Sequence, residues 1–171
     1  MTISAALDVR PAVPGDLPRL TEIYNHYVVE TPITFDVTPL TVAERRAWFD
    51  GHPDGGPHRL LVAVDGGAVA GYATSSPFTA KAAYATSVEV SVYCAPDATG
   101  RGLGSALYGA LFAAIAGEDV HRAYAGVALP NNASLRLHHR FGFADVGVYR
   151  EVGRKFGRYW DVAWLEKRLD G

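Results

Sequence analysis

The sequence VEVSVYCAPDATGRGLGSAL, residues 88–107, contains the three parts of an anion-binding turn. Valine alternates with other residues at its start, which predicts a strand with Val88 on the core face and Glu89 on the opposite face. Glycines stand at positions 100, 102 and 104, where they allow successive backbone N–H groups to converge on one point. The apolar spacing after Leu103 predicts a helix, whose N-terminal end favours an anion such as phosphate or pyrophosphate.

Composition and charge favour a single soluble domain. The 171 residues are 49% hydrophobic, enough for one sizeable core, so we expect one domain over residues 1–171. The net charge of −2 gives no basic field that would attract nucleic acid or an anionic membrane. Because Cys94 is the only cysteine, an intramolecular disulfide and a multi-cysteine zinc site are excluded, and no metal is expected. The chain shows no signal-peptide pattern and no long apolar run, so we expect a cytoplasmic protein.

Helical and strand-like segments alternate along the chain, and hairpin signals such as Asp65-Gly66 are also present. This combination predicts an α/β fold with a mixed rather than a purely parallel sheet. The strands are expected at about residues 7–10, 59–64, 68–75, 88–94, 122–129, 143–150 and 159–166. The helices are expected at about residues 14–30, 42–49, 103–116 and 133–140. The basic residues 154–158 are expected to link the last two strands, either as a rim of the site or as a solvated connection.

The glycine turn does not match the two common nucleotide-binding patterns. Its spacing differs from G-x-G-x-x-G, and no Gly-Lys-Ser/Thr sequence follows it. The sequence Thr99-Gly100-Arg101-Gly102-Leu103-Gly104 instead resembles the acetyl-CoA motif of the GNAT superfamily, Gln/Arg-x-x-Gly-x-Gly/Ala. It matches that motif at both of its glycine positions and departs from it at Thr99.

Other blocks of the chain resemble the phosphinothricin and methionine sulfoximine N-acetyltransferase branch of this superfamily. The likeness runs from about Val9 to Leu165, in the order and spacing of that branch. Its blocks are NHY at 25–27 with Phe35, VEVSVY at 88–93, LPNNAS at 129–134, LH at 137–138, FGF at 141–143 and KFGR at 155–158. The resemblance implies a GNAT fold: a mixed twisted central sheet of about six or seven strands, flanked by about four helices and splayed open after the Glu89 strand.

The resemblance implies transfer of an acetyl group from acetyl-CoA to the primary amine of a small amino acid analogue, of the phosphinothricin or methionine sulfoximine/sulfone type. The amine must lose a proton before it attacks, and the departing thiolate must gain one. Glu89 stands at the position of the family's general base; the alternative is a solvated strand glutamate. His138 lies seven residues after Asn131, where many relatives carry a tyrosine acid, and the alternative is a structural helix histidine.

An acetyl-CoA site is also implied by the resemblance. The strand backbone would bond the pantetheine arm, and the glycine turn would hold the pyrophosphate. The implied residues are Val92, Tyr93, Cys94, Thr99, Gly100, Arg101, Gly102, Leu103, Gly104, Ser105, Asn131 and Ser134. Arg101 either reaches a phosphate or stands exposed without a ligand. Cys94 falls on the same face of the predicted strand as the valines, which favours a small core residue over a nucleophile.

The amine substrate and the partners are less closely defined by the sequence. Phe35, Phe78, Lys81 and Tyr84 are expected to bind the amine, with ordinary packing as the alternative for the three aromatic residues. The resemblance implies a homodimer acting on a small molecule, with no nucleic acid or membrane partner. Two other functions stay open: acetylation of a different amine, such as a peptide or protein N-terminus or a polyamine, and a non-catalytic acyl-CoA-binding module. An acidic pocket would favour the polyamine, and an open groove the peptide.

Overall fold

The structure, a computed structural model, describes residues 7–169. Within them, seven strands form one mixed sheet in the order β1-β2-β3-β4-β5-β7-β6, and four α-helices flank it. The strands are β1 (Asp8–Pro11), β2 (Arg59–Asp65), β3 (Ala68–Pro77), β4 (Ser87–Cys94), β5 (Arg122–Ala128), β6 (Ala144–Lys155) and β7 (Arg158–Arg168). The helices are α1 (Leu17–Glu30), α2 (Val42–Asp50), α3 (Leu103–Ile115) and α4 (Asn132–Arg140). The expected mixed α/β sheet is confirmed.

Local signals explain where several elements begin and end. Helix α2 starts with a capping box, in which the Thr41 hydroxyl accepts from the Glu44 amide at 3.2 Å and the Glu44 carboxylate accepts from the Thr41 amide at 2.7 Å. Between β2 and β3, Gly66 and Gly67 both adopt positive φ, at 59° and 85°. A two-residue turn with positive φ at both positions matches the twist of the flanking strands, and glycine adopts positive φ without strain.

The basic residues 154–158 do not form the expected link. Strand β6 runs to Lys155 and β7 begins at Arg158, so only Phe156 and Gly157 lie between them, at φ 54° and 72°. The Lys155 side chain is neither a rim nor solvated, because it is 4% exposed and its Nζ donates to the Thr34 carbonyl at 2.8 Å. A carbonyl partner lets the ammonium be buried while its apolar stem packs.

The sheet opens between its two central parallel strands. Strands β4 and β5 pair only at Ser87↔Arg122, Val88↔Ala123 and Glu89↔Tyr124. Strand β5 continues to pair with β7 as far as Ala128↔Val162, so β4 and β5 separate beyond Glu89. The splay expected from the resemblance is therefore present, and it leaves a gap beside residues 90–94 of β4.

Glycine at position 71 is required by the close approach of β3 to β4. A Cβ there would lie 2.9 Å from the Tyr93 carbonyl oxygen and 3.2 Å from the Cys94 Cα, and neither backbone atom can move away cheaply. We expect Gly71→Ala to lower the free energy of unfolding by about 1–3 kcal/mol, as overpacking does. Gly109→Ala is the matched control, because this exposed position in α3 has nothing within 4 Å of the added methyl group. The control should be stabilised by about 0.5–1 kcal/mol, and urea unfolding measures both; equal effects would contradict this assignment.

Candidate active site

The gap exposes alternate backbone groups of β4. The Ala95 amide donates to the Ala70 carbonyl at 2.7 Å, so the backbone of Ala95 faces β3. Successive residues of a strand point their N–H and C=O groups to opposite sides. The backbone groups of Val90, Val92 and Cys94 therefore face the gap, whereas those of Tyr93 pair with β3. Two of the three predicted backbone contacts thus lie at the gap, and the Cys94 carbonyl already accepts from the Tyr27 hydroxyl at 2.5 Å.

The glycine turn lies at the open end of the gap and leads into α3. Gly100 and Gly102 adopt φ of 78° and 77°, and no side chain caps the first turn of the helix. The N–H groups at the start of α3 are thus available to an anion. Leu103 points its side chain into the core at 2% exposure, and Gly104 allows α4 to approach, since an added Cβ would lie 3.0 Å from Leu137.

Two arginines lie near this turn, and the sequence analysis identified only one of them. Arg101 pairs with Asp65 on β2 at 2.6 Å and is largely exposed. Arg140, in the last turn of α4, donates to the Ser105 hydroxyl at 2.9 Å. This contact brings a second cation to the start of α3. In the sequence, Arg140 stands at the end of a helix, where a cation is already favoured by the helix dipole. The sequence therefore gives no reason to assign it to the site.

Glu89 lies at the closed end of the gap, on the face of β4 that the alternation predicted. It is partly buried, and this burial raises the pKa of its carboxyl above the ordinary value. Its carboxylate borders two cavities that meet at β4. The Arg45 cavity, of about 330 Å³, extends toward β3 and α2, and the Phe35 cavity, of about 250 Å³, extends toward β5 and β7.

His138 is buried rather than open to the gap. Its ring is 3% exposed, and its Nδ1 lies 2.8 Å from the Ser134 carbonyl, which can only accept, so Nδ1 carries the proton. The other nitrogen, Nε2, then accepts from the Tyr108 hydroxyl at 2.9 Å. Burial lowers the pKa of His138, so the ring is neutral at pH 7. Burial raises the pKa of Tyr108, and the negative charge of Glu89 raises it further.

Asn131 and Ser134 hold the start of the helix that carries His138. The Asn131 side-chain oxygen accepts from the Ser134 amide at 3.1 Å, which caps α4. The Ser134 hydroxyl lies 3.4 Å from His138 Nδ1. Both residues therefore have contacts within the protein beside the role in acetyl-CoA binding that the resemblance implies. The Thr99 hydroxyl likewise makes a local contact, to the Pro96 carbonyl at 3.4 Å.

Of the four predicted substrate residues, only Phe35 lines either of the two cavities. Phe35 lines the Phe35 cavity together with Glu89 and packs against Gly153 of β6. Phe78 packs on Tyr124, with ring centroids 4.6 Å apart, and contacts Tyr84 at 5.7 Å. Lys81 and Tyr84 lie before β4 and are exposed, outside the lining of both cavities.

The sequence analysis missed Arg45, which lines the Arg45 cavity from α2. Its side chain is 4% exposed and lies over the rings of Tyr24 and Trp48. Its spacing gives a signal, because Arg45, Trp48 and Phe49 share one helical face. The loop between α1 and α2 is held in place by Asn25, whose amide exchanges hydrogen bonds of 2.8 and 2.9 Å with the Leu40 backbone.

Two further properties concern residues 7–169 as a whole. No group of three or more histidine, cysteine, aspartate or glutamate side chains in this range is arranged to hold a metal ion. In the same range, none of the helices has both the length and the apolar character needed to span a membrane.

Comparison with known proteins identifies relatives along nearly the whole chain. Residues 20–143 match the model of the acetyltransferase (GNAT) family. The chain is 64% identical over 168 residues to a phosphinothricin N-acetyltransferase of Streptomyces coelicolor, covering 97% of this chain and 98% of the relative. It is 37% identical over 163 residues to an L-methionine sulfoximine/L-methionine sulfone acetyltransferase of Pseudomonas aeruginosa, covering 95% and 94%.

A solved structure shows the same fold. It is a GNAT superfamily phosphinothricin acetyltransferase from Sinorhizobium meliloti in complex with acetyl-CoA, with a TM-score of 0.90 and 34% identity, covering 95% of this chain and 88% of that one. The family match and the 64% identity over most of both sequences agree with this fold. This chain therefore belongs to the GNAT family of acetyltransferases.

Proposed function

We propose that this protein transfers the acetyl group of acetyl-CoA to the primary amine of a small amino acid analogue, of the phosphinothricin or methionine sulfoximine/sulfone type. The observation that carries the proposal is the gap between β4 and β5, which has Glu89 at its closed end and the uncapped glycine turn at its open end. The names of the two relatives support the choice of amine, since both describe acetyltransferases of such amino acid analogues.

The residues around the gap fit acetyl-CoA. We propose that the backbone groups of Val92 and Cys94 form hydrogen bonds with the pantetheine arm. The arm would take the place that β5 would occupy if it stayed paired with β4 beyond Glu89. The N–H groups of the turn and of the first residues of α3 would hold the pyrophosphate, with Arg140 adding positive charge nearby. Acetyl-CoA, when bound, supplies a thioester carbon that an amine can attack.

Glu89 is proposed to take the proton that the substrate ammonium must lose. Only the carboxylate form can do this, and the raised pKa brings the group nearer to the pH at which it must work. For His138 we propose a positioning role, because its ring nitrogens are both engaged inside the protein. It would act by holding Tyr108, which lies within the field of the Glu89 charge.

A polyamine is the second candidate substrate, and one observation favours it. The Arg45 cavity contains the carboxylates of Asp36, Glu44 and Glu89, so its lining is net acidic. An acidic lining attracts any cationic amine, including the ammonium group of an amino acid. The buried Arg45 distinguishes the two substrates, because a polyamine has no anion to offer it.

We also propose that the protein is a cytoplasmic homodimer. Strand β6 is an edge strand of the sheet, and several of its apolar side chains are exposed to solvent. They are 41–59% exposed: Val146, Val148, Tyr149 and Val152. A long edge strand with such side chains favours pairing with another chain. The single cysteine, which is free, is compatible with a reducing compartment.

The substrate proposal is tested by a panel of amines. Acetyl-CoA should bind in calorimetry, and release of free CoA thiol should be fastest with phosphinothricin or methionine sulfone, slower with spermidine and with a short peptide. Faster release with spermidine or the peptide would move the function to that amine. Absence of acetyl-CoA binding at millimolar concentration would overturn the proposal, and binding without thiol release from any amine would indicate a non-catalytic module.

Glu89→Gln should lower turnover about 100-fold or more, the usual contribution of a general base, while raising stability. Burial of the charged carboxylate opposes folding. This cost is absent below the ordinary pKa of 4.5 and develops fully above the raised pKa of the folded protein. At pH 8 the variant's Tm should therefore exceed that of the wild type.

The gain in Tm should shrink as the pH falls toward 4.5, where the wild-type carboxyl becomes protonated in both states. Glu30→Gln, at the exposed end of α1, is the control and should change neither turnover nor Tm. Unchanged turnover in Glu89→Gln would remove this residue from the mechanism.

The dimer proposal predicts a solution mass of about twice the 18.3 kDa of the chain by light scattering. Val148→Lys places a charge on the exposed face of β6 and should reduce the mass toward that of one chain. Val29→Lys, at a 48% exposed position of α1, should leave it unchanged. A monomeric wild-type protein at the concentrations of the activity assay would contradict the proposal.

A further inference from the structure

Arg45 is a buried cation without an anionic partner among residues 7–169. Its guanidinium carbon lies 3.8 Å from the ring centroid of Trp48 and 4.4 Å from that of Tyr24. Among the residues that the structure describes, its Nη1 is buried without a hydrogen-bond partner, and the residue forms no ion pair. The rings stabilise the charge in part, but a buried charge normally also has an opposite charge or hydrogen bonds.

A second buried polar group lies in the same cavity without a partner. The Tyr72 side chain is 1% exposed, and its hydroxyl makes no hydrogen bond within residues 7–169. Arg45 lies beside this phenol and lowers its pKa through its charge and its N–H groups, although burial raises the pKa by more. Most buried polar groups have partners, so an unpaired guanidinium nitrogen beside this phenol indicates a ligand that accepts hydrogen bonds there.

The same cavity also contains Glu89. Among the described residues that line the Arg45 cavity and the Phe35 cavity, Arg45 is the one cation. The Arg45 cavity, at about 330 Å³, has the size of a small-ligand site. A molecule that carries both an ammonium and a carboxylate would satisfy the glutamate and the arginine together.

We infer that Arg45 binds the α-carboxylate of the acceptor amino acid and thereby directs its amine to Glu89. The inference rests on the proposed function. The contacts with the rings of Tyr24 and Trp48 leave Nη1 without a hydrogen bond, and the planar fork of a guanidinium matches two carboxylate oxygens. Tyr24 is itself fixed, since its hydroxyl hydrogen-bonds to Thr34 at 2.8 Å and to Asp36 at 2.5 Å. One of the rings that contact the guanidinium is therefore held in place by hydrogen bonds.

Other cations near the site are less suited to this role. Lys155 donates to the Thr34 carbonyl, and Arg101 is paired with Asp65. Lys81 is exposed and lies outside the lining of both cavities. A purely structural arginine would affect folding but would not distinguish a carboxylate substrate from its uncharged counterpart, and the test uses this difference.

The test compares methionine sulfone with its carboxamide in the thiol-release assay. The sulfone group is uncharged, so the α-carboxylate is the substrate's one anion. The wild type should prefer the acid over the amide, and Arg45→Gln should lower kcat/KM for the acid by about 10- to 100-fold, mainly through KM, as expected for loss of a charged hydrogen bond. The preference for the acid should disappear in this variant, and Arg45→Lys should retain part of it. Arg46→Gln, the exposed neighbour on α2, is the matched control and should match the wild type.

The outcomes separate this inference from the proposed function. If the wild type acetylates acid and amide equally well, or if Arg45→Gln keeps the preference for the acid, the inference is overturned while the proposed function stands. If the wild type acetylates no amino acid, both are overturned. Should the Arg45 variants fail to fold, a crystal structure of the wild type with CoA and methionine sulfone decides. A carboxylate within hydrogen-bond distance of Arg45 supports the inference, and a carboxylate placed elsewhere overturns it.

Discussion

The separation of β4 from β5 after Glu89 and Tyr124 is the constraint on which the rest of the site depends. Strands that stop pairing leave backbone N–H and C=O groups along β4 without a neighbouring strand, and such groups need a ligand or water as a partner. Strand β5 keeps its pairing with β7 through Ala128↔Val162, so one side of the gap is held by a continuous ladder. Because the gap starts at Glu89 and ends at the glycine turn, a single break in the sheet leaves a row of unpaired backbone groups with a partly buried carboxyl group at its inner end.

The wall beyond Glu89 is built from aromatic rings that come from separate elements. Tyr93 of β4 lies 5.4 Å from Tyr24, 5.2 Å from Tyr27 and 5.5 Å from Tyr72, measured between ring centroids. Buried phenol hydroxyls need partners, and here two of them tie α1 to β4 and to the following loop: Tyr27 donates to the Cys94 carbonyl, and Tyr24 donates to Asp36. The same loop is also held by the two hydrogen bonds between the Asn25 side chain and the Leu40 backbone, and by Lys155, which donates to the Thr34 carbonyl. The cavity beside Glu89 therefore has a rigid wall, which is what preorganisation of a site requires.

Much of the fold follows from signals that act over a few residues. The alternation in β4 placed Glu89 on the face opposite the valines, and the capping box at Thr41 and the glycines at 66 and 67 marked the start of α2 and the β2–β3 turn. The turn at Phe156 and Gly157 was missed because it places a bulky residue at positive φ, where no common turn signature applies. The candidate site was predicted only partly, because several of its residues are far apart in sequence. Glu89 and the glycine turn are close in sequence, whereas Tyr108 and His138 meet across two helices.

The sequence by itself determined the glycine turn before α3, the face of β4 that carries Glu89, and the resemblance to the GNAT superfamily that the comparisons then confirmed. Only the tertiary structure decided which charged and titratable side chains are buried. Lys155 is buried because carbonyls of α1 and the α1–α2 loop receive its ammonium, and Arg45 because rings from α1, α2 and β3 surround it. A periodic pattern reports on which face of its own element a residue lies. The partners that make burial of a charge tolerable come from distant parts of the chain, and no local pattern encodes them.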